Sequence, residues 1–93
     1  MSHAIPNDAR PRLPRGVRLR QDKARNCWLL LAPETLFELN QSSVEILRRC
    51  TGEQSFAQIV DELAQSFGVD RMRVEQDSQA LLGQLLAKRL IDL

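Results

Sequence analysis

Residues 27–39, CWLLLAPETLFEL, contain the two patterns that decide the fold. The run Cys27–Ala32 is apolar throughout and ends at Pro33, so it is too short for a helix and predicts a strand. After Pro33 and Glu34, the segment Thr35–Leu39 distributes its side chains over two faces and predicts a second strand. We therefore expect an antiparallel hairpin with a tight turn at the proline.

The chain before this hairpin adds one more strand. Residues 17–20, VRLR, alternate apolar and charged side chains, which is typical of a strand with one wet face. Residues 1–16 hold three of the four prolines and end at Gly16. Because proline removes backbone donors and disfavours helix, we expect a flexible Pro/Arg-rich N-terminal arm over residues 1–16 and a single domain over residues 17–93.

The chain after the hairpin changes to a helical period. Ser42 with Glu45, and Ser55 with Gln58, form capping-box patterns at the starts of two helices, and Asp70 caps a third. Apolar residues recur behind each cap at helical spacing. The predicted fold is an α+β, winged-helix-like domain with three short antiparallel strands followed by three helices, and with the helices in one layer over the sheet.

Length and composition set the class of protein. The 93 residues are 43% hydrophobic and 27% charged, as expected for one globular domain. The longest apolar run has six residues, whereas a membrane-spanning helix needs about 20, so we expect no membrane segment. The first eight residues have neither a basic start nor an apolar stretch, which predicts no secretory signal and a cytoplasmic location.

Charge is divided unevenly along the chain. Residues 1–25 hold seven basic and two acidic side chains, and residues 26–93 hold six basic and ten acidic ones. A basic arm beside a helix-turn-helix order is typical of a small winged-helix DNA-binding regulator, which is the alternative function. The acids in residues 70–77 and in the preceding helix would repel phosphate, so we expect no nucleic-acid partner and a solvated basic arm.

The sequence contains no arrangement of residues typical of catalysis or metal binding. His3 is the single histidine, tyrosine is absent, and no phosphate-binding, metalloprotease or nucleophile-elbow motif occurs. Cys27 and Cys50 are too few for a zinc site and are expected to be reduced and packed as small apolar residues. We therefore expect neither an enzyme nor a bound cofactor or metal.

A peptide-binding module is the function that remains. The third strand, Thr35–Leu39, lies at an edge of the predicted sheet, where a partner can add a strand through main-chain hydrogen bonds. Alternate residues of such a strand point their N–H groups outward, either Thr35 and Phe37 or Leu36 and Glu38. A domain that serves only as a subunit interface and binds no free peptide is a third alternative.

Several strings in residues 15–93 resemble the PqqD family of small peptide chaperones in pyrroloquinoline quinone (PQQ) biosynthesis. They are LLAPE at residues 30–34, LN at 39–40, EIL at 45–47 with Cys50 and Gly52, IVDEL at 59–63, the third-helix residues Asp77, Leu81, Leu82 and Leu85, and LI at 90–91. The LLAPE string and its spacing to EIL are the specific part of this resemblance. The sequence departs from the family pattern at Thr51, Ser78 and Arg89, where an acid, an apolar residue and a glycine are usual.

The resemblance implies a fold of three strands and three helices and a non-enzymatic function. Family members bind the ribosomally made precursor peptide PqqA and present it to the radical SAM enzyme PqqE, which holds the cofactors of the reaction. The peptide adds to the third strand and lies against the third helix. Carried over onto this chain, the peptide-binding residues are Thr35, Leu36, Phe37, Glu38, Leu39, Asp77, Leu81 and Leu85.

The apolar strand Cys27–Ala32 also raises the question of assembly. It is apolar on both faces, but one layer of helices covers only one of them. The other face has to be covered by the arm, by a partner or by a second copy of the chain. Strand exchange through the loop at residues 21–26 is a low-cost route to a dimer, so a homodimer stays open.

Overall fold

The structure, a computed structural model, describes residues 5–93. Within these residues the strands are β1 (Arg18–Asp22), β2 (Cys27–Ala32) and β3 (Thr35–Leu39), and the helices are α1 (Gln41–Arg48), α2 (Phe56–Phe67) and α3 (Arg71–Ala87). The strands form one antiparallel sheet in the order β1-β2-β3. The predicted α+β class, three short antiparallel strands followed by three helices, is confirmed.

The strand register separates an inner face of the sheet from an outer face. On the inner face, Leu30 lies between Leu19 and Phe37, and its side chain is fully buried. On the outer face, Leu31 lies between Arg18 and Leu36. Because side chains alternate along a strand, each face carries every second residue. The strands β1 and β3 are the two edges of the sheet.

The hydrophobic core lies between the inner face of the sheet and the helices. Helix α1 packs against β1 and β3, and α2 packs against α3. The largest fully buried apolar side chains are Phe56, Leu30, Leu47, Ile59, Leu82, Ile91, Val44 and Val60. Full burial of such a side chain contributes about 1.5–3 kcal/mol. The core therefore fixes the helical layer against one face of the sheet only.

Helix α1 begins two residues earlier than the predicted serine cap. Its N-cap is Asn40, whose Oδ1 accepts a hydrogen bond from the N–H of Ser43 at 2.8 Å. The predicted capping box of Ser42 and Glu45 is therefore wrong. The physical reason is that an asparagine side chain caps as well as a serine, and Asn40 is the first such residue after β3.

The other two helix starts are as predicted. Ser55 and Gln58 form a full capping box, with the side chain of each accepting a hydrogen bond from the backbone N–H of the other. Asp70 caps α3 by accepting a hydrogen bond from the N–H of Met72 at 3.2 Å. Gly68 ends α2 in the left-handed conformation, with φ of 63°, which a glycine adopts without a steric penalty.

Helix α3 ends in a left-handed turn that has no glycine. Arg89 has a φ of 59°, and its N–H donates to the carbonyl of Leu86 at 3.0 Å. The N–H of Leu90 donates to the carbonyl of Leu85 at 2.8 Å, and this pair of bonds is the Schellman pattern. The family pattern has a glycine at this position, and the left-handed turn gives the physical reason for that preference.

Residues 5–13 pack against the helices, although the sequence predicts a flexible arm there. The backbone of Ile5 exchanges two hydrogen bonds with the side-chain amide of Gln79 on α3, at 2.7 and 2.8 Å. The side chain of Ile5 is 3% exposed and joins the core. Residues 1–4, including His3, lie outside the described residues.

Residues 5–13 are packed, and not flexible as predicted, because they supply acceptors to the unpaired N–H groups at the start of α2. The first N–H groups of a helix have no partner inside the helix. Here the carbonyl of Ala9 accepts from the N–H of Phe56 at 2.7 Å, and the carbonyl of Asn7 accepts from that of Ala57 at 3.1 Å. Arg12 and Asp92 pair their backbones through two hydrogen bonds of 2.9 Å. The N-terminal segment therefore lies on the helical side of the molecule, away from the outer face of the sheet.

Candidate functional site

The strand β3 forms an open edge of the sheet. Its one pairing partner among the described residues is β2. Phe37 and Leu39 are half-buried and pack against the core, whereas the side chain of Leu36 is 56% exposed. Thr35 and Glu38 are also exposed. An edge strand with unpaired backbone groups and apolar side chains can accept an added strand.

The register determines which backbone groups of β3 point away from the sheet. Ala32 lies opposite Thr35 across the two-residue turn at Pro33 and Glu34. A turn of this size is closed by a hydrogen bond from its fourth N–H to its first carbonyl, so Thr35 bonds inward to β2. Because hydrogen-bonded pairs alternate along an antiparallel ladder, the N–H and C=O groups of Leu36 and Glu38 point outward.

The C-terminal end of α3 lies beside β3. Lys88, the residue that follows α3, places its Nζ 4.6 Å from the centroid of the Phe37 ring. Phe37 belongs to the predicted groove, whereas the sequence does not assign Lys88 to it. A basic residue near the C-terminal end of a helix is expected from the helix dipole alone, so the sequence offers no signal for this contact.

The predicted α3 residues occupy different environments. Asp77 is exposed, and Leu81 is half-buried and packs against the core. Leu85 is 4% exposed and belongs to the core, so it supports the helix from beneath and does not line a surface groove. Leu85 precedes the Schellman turn and accepts the hydrogen bond from Leu90, which keeps its side chain against the core. The structure therefore leaves Asp77 and Leu81 accessible on this helix.

A cleft of about 390 Å³ lies beyond the end of β3. It lies between the start of α1, the end of α2 and the first half of α3. Its lining residues are Gln41, Ser42, Glu45, Ile46, Leu63, Phe67, Val69, Arg73, Val74 and Asp77. Two of the apolar residues at its rim are strongly exposed, Phe67 at 54% and Val69 at 47%. The sequence pattern does not predict this cleft, because the cleft depends on how three helices meet.

These contacts establish the direction of α3 relative to β3. At one end, Lys88 lies over Phe37 in the middle of the strand. At the other end, Asp77 lines the cleft with Gln41 and Ser42, which directly follow β3 in the chain. Helix α3 therefore runs alongside β3 and the start of α1, in the direction opposite to the strand. Lys88 therefore lies near one end of the predicted groove, and Asp77 lies near the other.

The two thiols have the chemistry of buried or shielded cysteines. Burial raises the pKa of Cys50 to about 12. The pKa of Cys27 is also raised, by desolvation and by the nearby carboxylates of Glu38 and Asp22. A thiol with a raised pKa is protonated at neutral pH and is a poor nucleophile. No group of three or more His, Cys, Asp or Glu side chains that could hold a metal occurs within residues 5–93.

None of the helices in residues 5–93 combines the length and the apolar character that crossing a bilayer requires.

The fold and the contacts of β3 define a winged-helix-like α+β domain in which an open strand edge, β3, lies beside the end of a helix. Comparison with known families and proteins then gives the family. The model of the family described as "Coenzyme PQQ synthesis protein D (PqqD)" matches residues 27–91. The chain belongs to the PqqD family, as its LLAPE string and the spacing to EIL predicted.

Relatives and solved structures agree with this assignment. A "PqqA binding protein" of Xanthomonas axonopodis pv. citri (strain 306) is 45% identical over 89 residues, which are 96% of this chain and 97% of the relative. The "Bifunctional coenzyme PQQ synthesis protein C/D" of Methylorubrum extorquens is 42% identical over 82 residues, 88% of this chain but 22% of that protein. The same domain is therefore found both alone and as part of a longer chain.

The solved structures support the fold. The solution NMR structure of the PqqD truncation of Methylobacterium extorquens PqqCD, described as a stand-alone recognition element for ribosomally synthesized and post-translationally modified peptides, is 39% identical with a TM-score of 0.84. The match covers 97% of this chain and 96% of that one. The crystal structure of PqqD from Xanthomonas campestris is 43% identical with a TM-score of 0.62, over 96% and 99% of the two chains.

Proposed function

We propose that this protein is a non-enzymatic peptide chaperone of PQQ biosynthesis that works in the cytoplasm. It binds the precursor peptide PqqA as a strand added to β3 and presents it to the radical SAM enzyme PqqE. The names of its relatives, a PqqA-binding protein and a peptide recognition element, support the peptide partner. The enzyme that receives the peptide is the part of the proposal that rests on the family resemblance.

The observation that carries the proposal is the outward direction of two backbone positions on β3. Leu36 and Glu38 each offer an N–H donor and a C=O acceptor along an edge that β2 does not use. A peptide in the extended conformation pairs with both positions without changing the fold of the domain. The main-chain bonds supply the pairing, and side-chain pockets on alternate peptide residues supply the selectivity.

The neighbouring helix supplies the second wall of the site. Peptide side chains that point to the inner side of the added strand face Leu81, the ring of Phe37 and the stem of Lys88. The groove carries a positive charge near Phe37 and a negative charge at Asp77. We therefore expect the bound segment to be apolar in the middle, with an acidic residue beside Lys88 and a basic residue beside Asp77.

The state of the titratable groups supports a binding function rather than catalysis. Both thiols have raised pKa values, so neither is poised as a nucleophile. The arginine at the start of α3 is also engaged, since Arg71 forms ion pairs with Asp61 and with Glu75. An arginine held by two carboxylates is poorly available to a DNA phosphate, which disfavours the alternative of a DNA-binding regulator.

The test is an NMR titration of the isotope-labelled protein with synthetic PqqA. The amide protons of Leu36 and Glu38 should gain protection from solvent exchange on binding, because they acquire carbonyl acceptors. The amide of Phe37, which already bonds to β2, should change less. Strand β1 is the internal control, because it is the other open edge of the same sheet. Protection of β1 amides, with no change in β3, would contradict the proposed site.

A further inference from the structure

We propose that the outer face of the sheet is the surface through which this chaperone docks onto the enzyme that modifies its peptide. The outer face is defined here by Arg18, Arg20, Leu29, Leu31, Leu36 and Glu38. The occupant is a folded protein surface with an apolar centre and an acidic rim. This inference rests on the proposed strand addition at β3 and adds to it the place where the enzyme binds.

The strand register arranges the outer face in two rows. One row runs from Arg18 across Leu31 to Leu36, and the other runs from Arg20 across Leu29 to Glu38. Side chains directly opposite each other on one face of a sheet lie in contact distance. The centre of the face is therefore made of leucines, and its β1 side is made of arginines. A shallow cleft of about 470 Å³ lies over this centre and is bordered by Arg20, Asp22 and Lys23.

The described residues leave the Leu31 and Leu36 row of this face partly uncovered, whereas Leu29 is only 8% exposed. The helices pack on the inner face, and residues 5–13 pack on the helices. The side chain of Leu36 is 56% exposed, and Leu31 is half-buried. The N-terminal arm was one of three alternatives for covering this face, and residues 5–13 do not cover it. A leucine patch on an otherwise charged surface is typical of a protein interaction site.

The charges on the face select the partner. Within residues 5–93, neither Arg18 nor Arg20 forms an ion pair. Lys23 borders the same cleft and is also without an ion-pair partner in this part of the chain. The three cations lie on the β1 side, and Glu38 and Asp22 are the acids that border the face. This arrangement favours a partner whose centre is apolar and whose rim is acidic where it meets β1. The apolar centre disfavours a nucleic acid as the partner, because a phosphate backbone has no apolar surface that could pack against the leucines.

The peptide site and the outer face are continuous with each other. A strand added to β3 extends both rows, so its side chains stand next to Leu36 and Glu38 on the outer face. An enzyme seated on this face contacts the chaperone and every second residue of the bound peptide at the same time. The loaded chaperone therefore offers a larger surface than the free one, and the enzyme is expected to prefer the loaded form.

Protection of an edge strand is an alternative explanation for the arginines on β1, but it does not explain the leucines of the same face. Arginines on an edge strand also prevent unwanted pairing with other chains. That role needs charged residues on β1 alone. It does not require an exposed leucine on β3 in the same row as Arg18, and it leaves the leucine centre without an explanation. Docking of a protein accounts for both features.

The test uses the double variant Arg18→Glu/Arg20→Glu in the full chain. The matched control is Arg10→Glu, which changes an exposed arginine on the helical side. Calorimetric titration with synthetic PqqA measures peptide binding, and sedimentation of the labelled peptide–chaperone complex with PqqE of the same organism measures docking. The double variant should bind the peptide within about twofold of the parent and lose at least about tenfold in affinity for the enzyme at low ionic strength. The control should be unchanged in both measurements.

The outcomes separate this inference from the proposed function. Unchanged docking of the double variant would overturn the docking surface and leave the arginines as edge protection. Loss of peptide binding in the double variant would also overturn it, because the arginines would then belong to the peptide site. If the parent binds no PqqA, the proposed function itself fails. A dimer of the parent that the double variant dissociates, seen by light scattering, would reassign the face to a second copy, and competition by duplex DNA would reassign it to nucleic acid.

Discussion

The ammonium group of Lys88 lies 4.6 Å from the centroid of the Phe37 ring, and this contact joins the end of α3 to the edge strand β3. A cation over an aromatic face is attracted by the negative charge of the ring face. Here the contact also connects the two walls of the proposed groove. It therefore links the stability of the domain to the position of its binding site.

Replacement of Lys88 by glutamine should weaken the link between α3 and β3. A cation–π contact at an exposed site contributes about 0.5–1 kcal/mol, and glutamine keeps most of the length without the charge. Urea unfolding of Lys88→Gln, Phe37→Leu and the double variant gives the coupling between the two side chains. We expect a coupling free energy of about 0.5 kcal/mol or more, and Lys23→Gln serves as a control. Strictly additive effects would show that the contact contributes nothing to stability.

Arg89→Gly should stabilise the protein, although it removes a side chain. Arg89 is held at a φ of 59°, where a residue with a Cβ is strained by about 1–2 kcal/mol. Glycine removes this strain. It also increases the conformational entropy of the unfolded chain, which lowers stability, so the expected net gain in the free energy of unfolding is about 0.5–1 kcal/mol. A gain of that size raises the melting temperature by about 2–8 °C in a domain of this length. Arg89→Ala retains the Cβ and should show no such rise, and equal melting temperatures for Gly and Ala would contradict the explanation.

Ser78→Ala should also stabilise the fold. Ser78 is fully buried on α3, and its Oγ has no hydrogen-bond partner among residues 5–93. An unsatisfied buried polar group costs about 1–3 kcal/mol, and alanine removes it without adding volume. Alanine also favours helix, so the control is Ser66→Ala on an exposed position of α2. Chemical denaturation should show a larger gain at residue 78 than at residue 66, and equal gains would mean that the hydroxyl is satisfied in solution.

The sequence was sufficient for the local features of the fold. The hairpin at Cys27–Leu39 was predicted because the strand and turn signals are adjacent in the chain. The capping box of Ser55 and Gln58 was predicted because both bonds form within four residues. The docking of Ile5 on Gln79 was not predicted, because it joins residues 74 positions apart and leaves no periodic signal.

The candidate site was predictable only in part, because it also depends on contacts between residues that are distant in the chain. A helical period identifies which residues of α3 share a face, but it does not tell which face meets the sheet. Leu85 was expected to line the groove but packs in the core, and Lys88, which the pattern did not assign to the groove, lies over Phe37. The backbone direction on β3 was left open by the sequence as well, since it depends on the register with β2.

The stability of the domain should fall in acid partly through Glu62. Hydrogen bonds from Gln54 at 2.6 Å and from Arg49 at 3.0 Å hold the pKa of this carboxyl below its usual value. Because the pKa is lower in the folded state, the stabilisation is complete above the unfolded pKa and is lost as pH falls through the folded pKa. Glu62→Gln should therefore be less stable than the parent near neutral pH and should lose less stability on acidification. Unfolding curves between about pH 7 and 2 measure this, with Glu34→Gln as control, and parallel curves for parent and Glu62→Gln would argue against it.

Proline substitutions on β3 test the mechanism of peptide binding directly. Proline deletes the N–H donor and fixes φ near −65°. At Leu36 and Glu38 the lost N–H points away from β2, so the fold should persist while an added strand loses a bond. One backbone bond contributes about 1 kcal/mol and the proline ring adds a steric conflict, so PqqA should bind at least about tenfold more weakly.

Glu38→Ala is the matched control for the side chain, because it keeps the N–H of that position. It should bind the peptide within about threefold of the parent, whereas Glu38→Pro should not. Phe37→Pro is the opposite control, since its N–H bonds to β2 and its loss should disrupt the sheet itself. Calorimetric titration with synthetic PqqA measures the affinity, and circular dichroism shows which variants remain folded. If folded Leu36→Pro and Glu38→Pro variants both bind the peptide as well as the parent does, the peptide does not add to this edge.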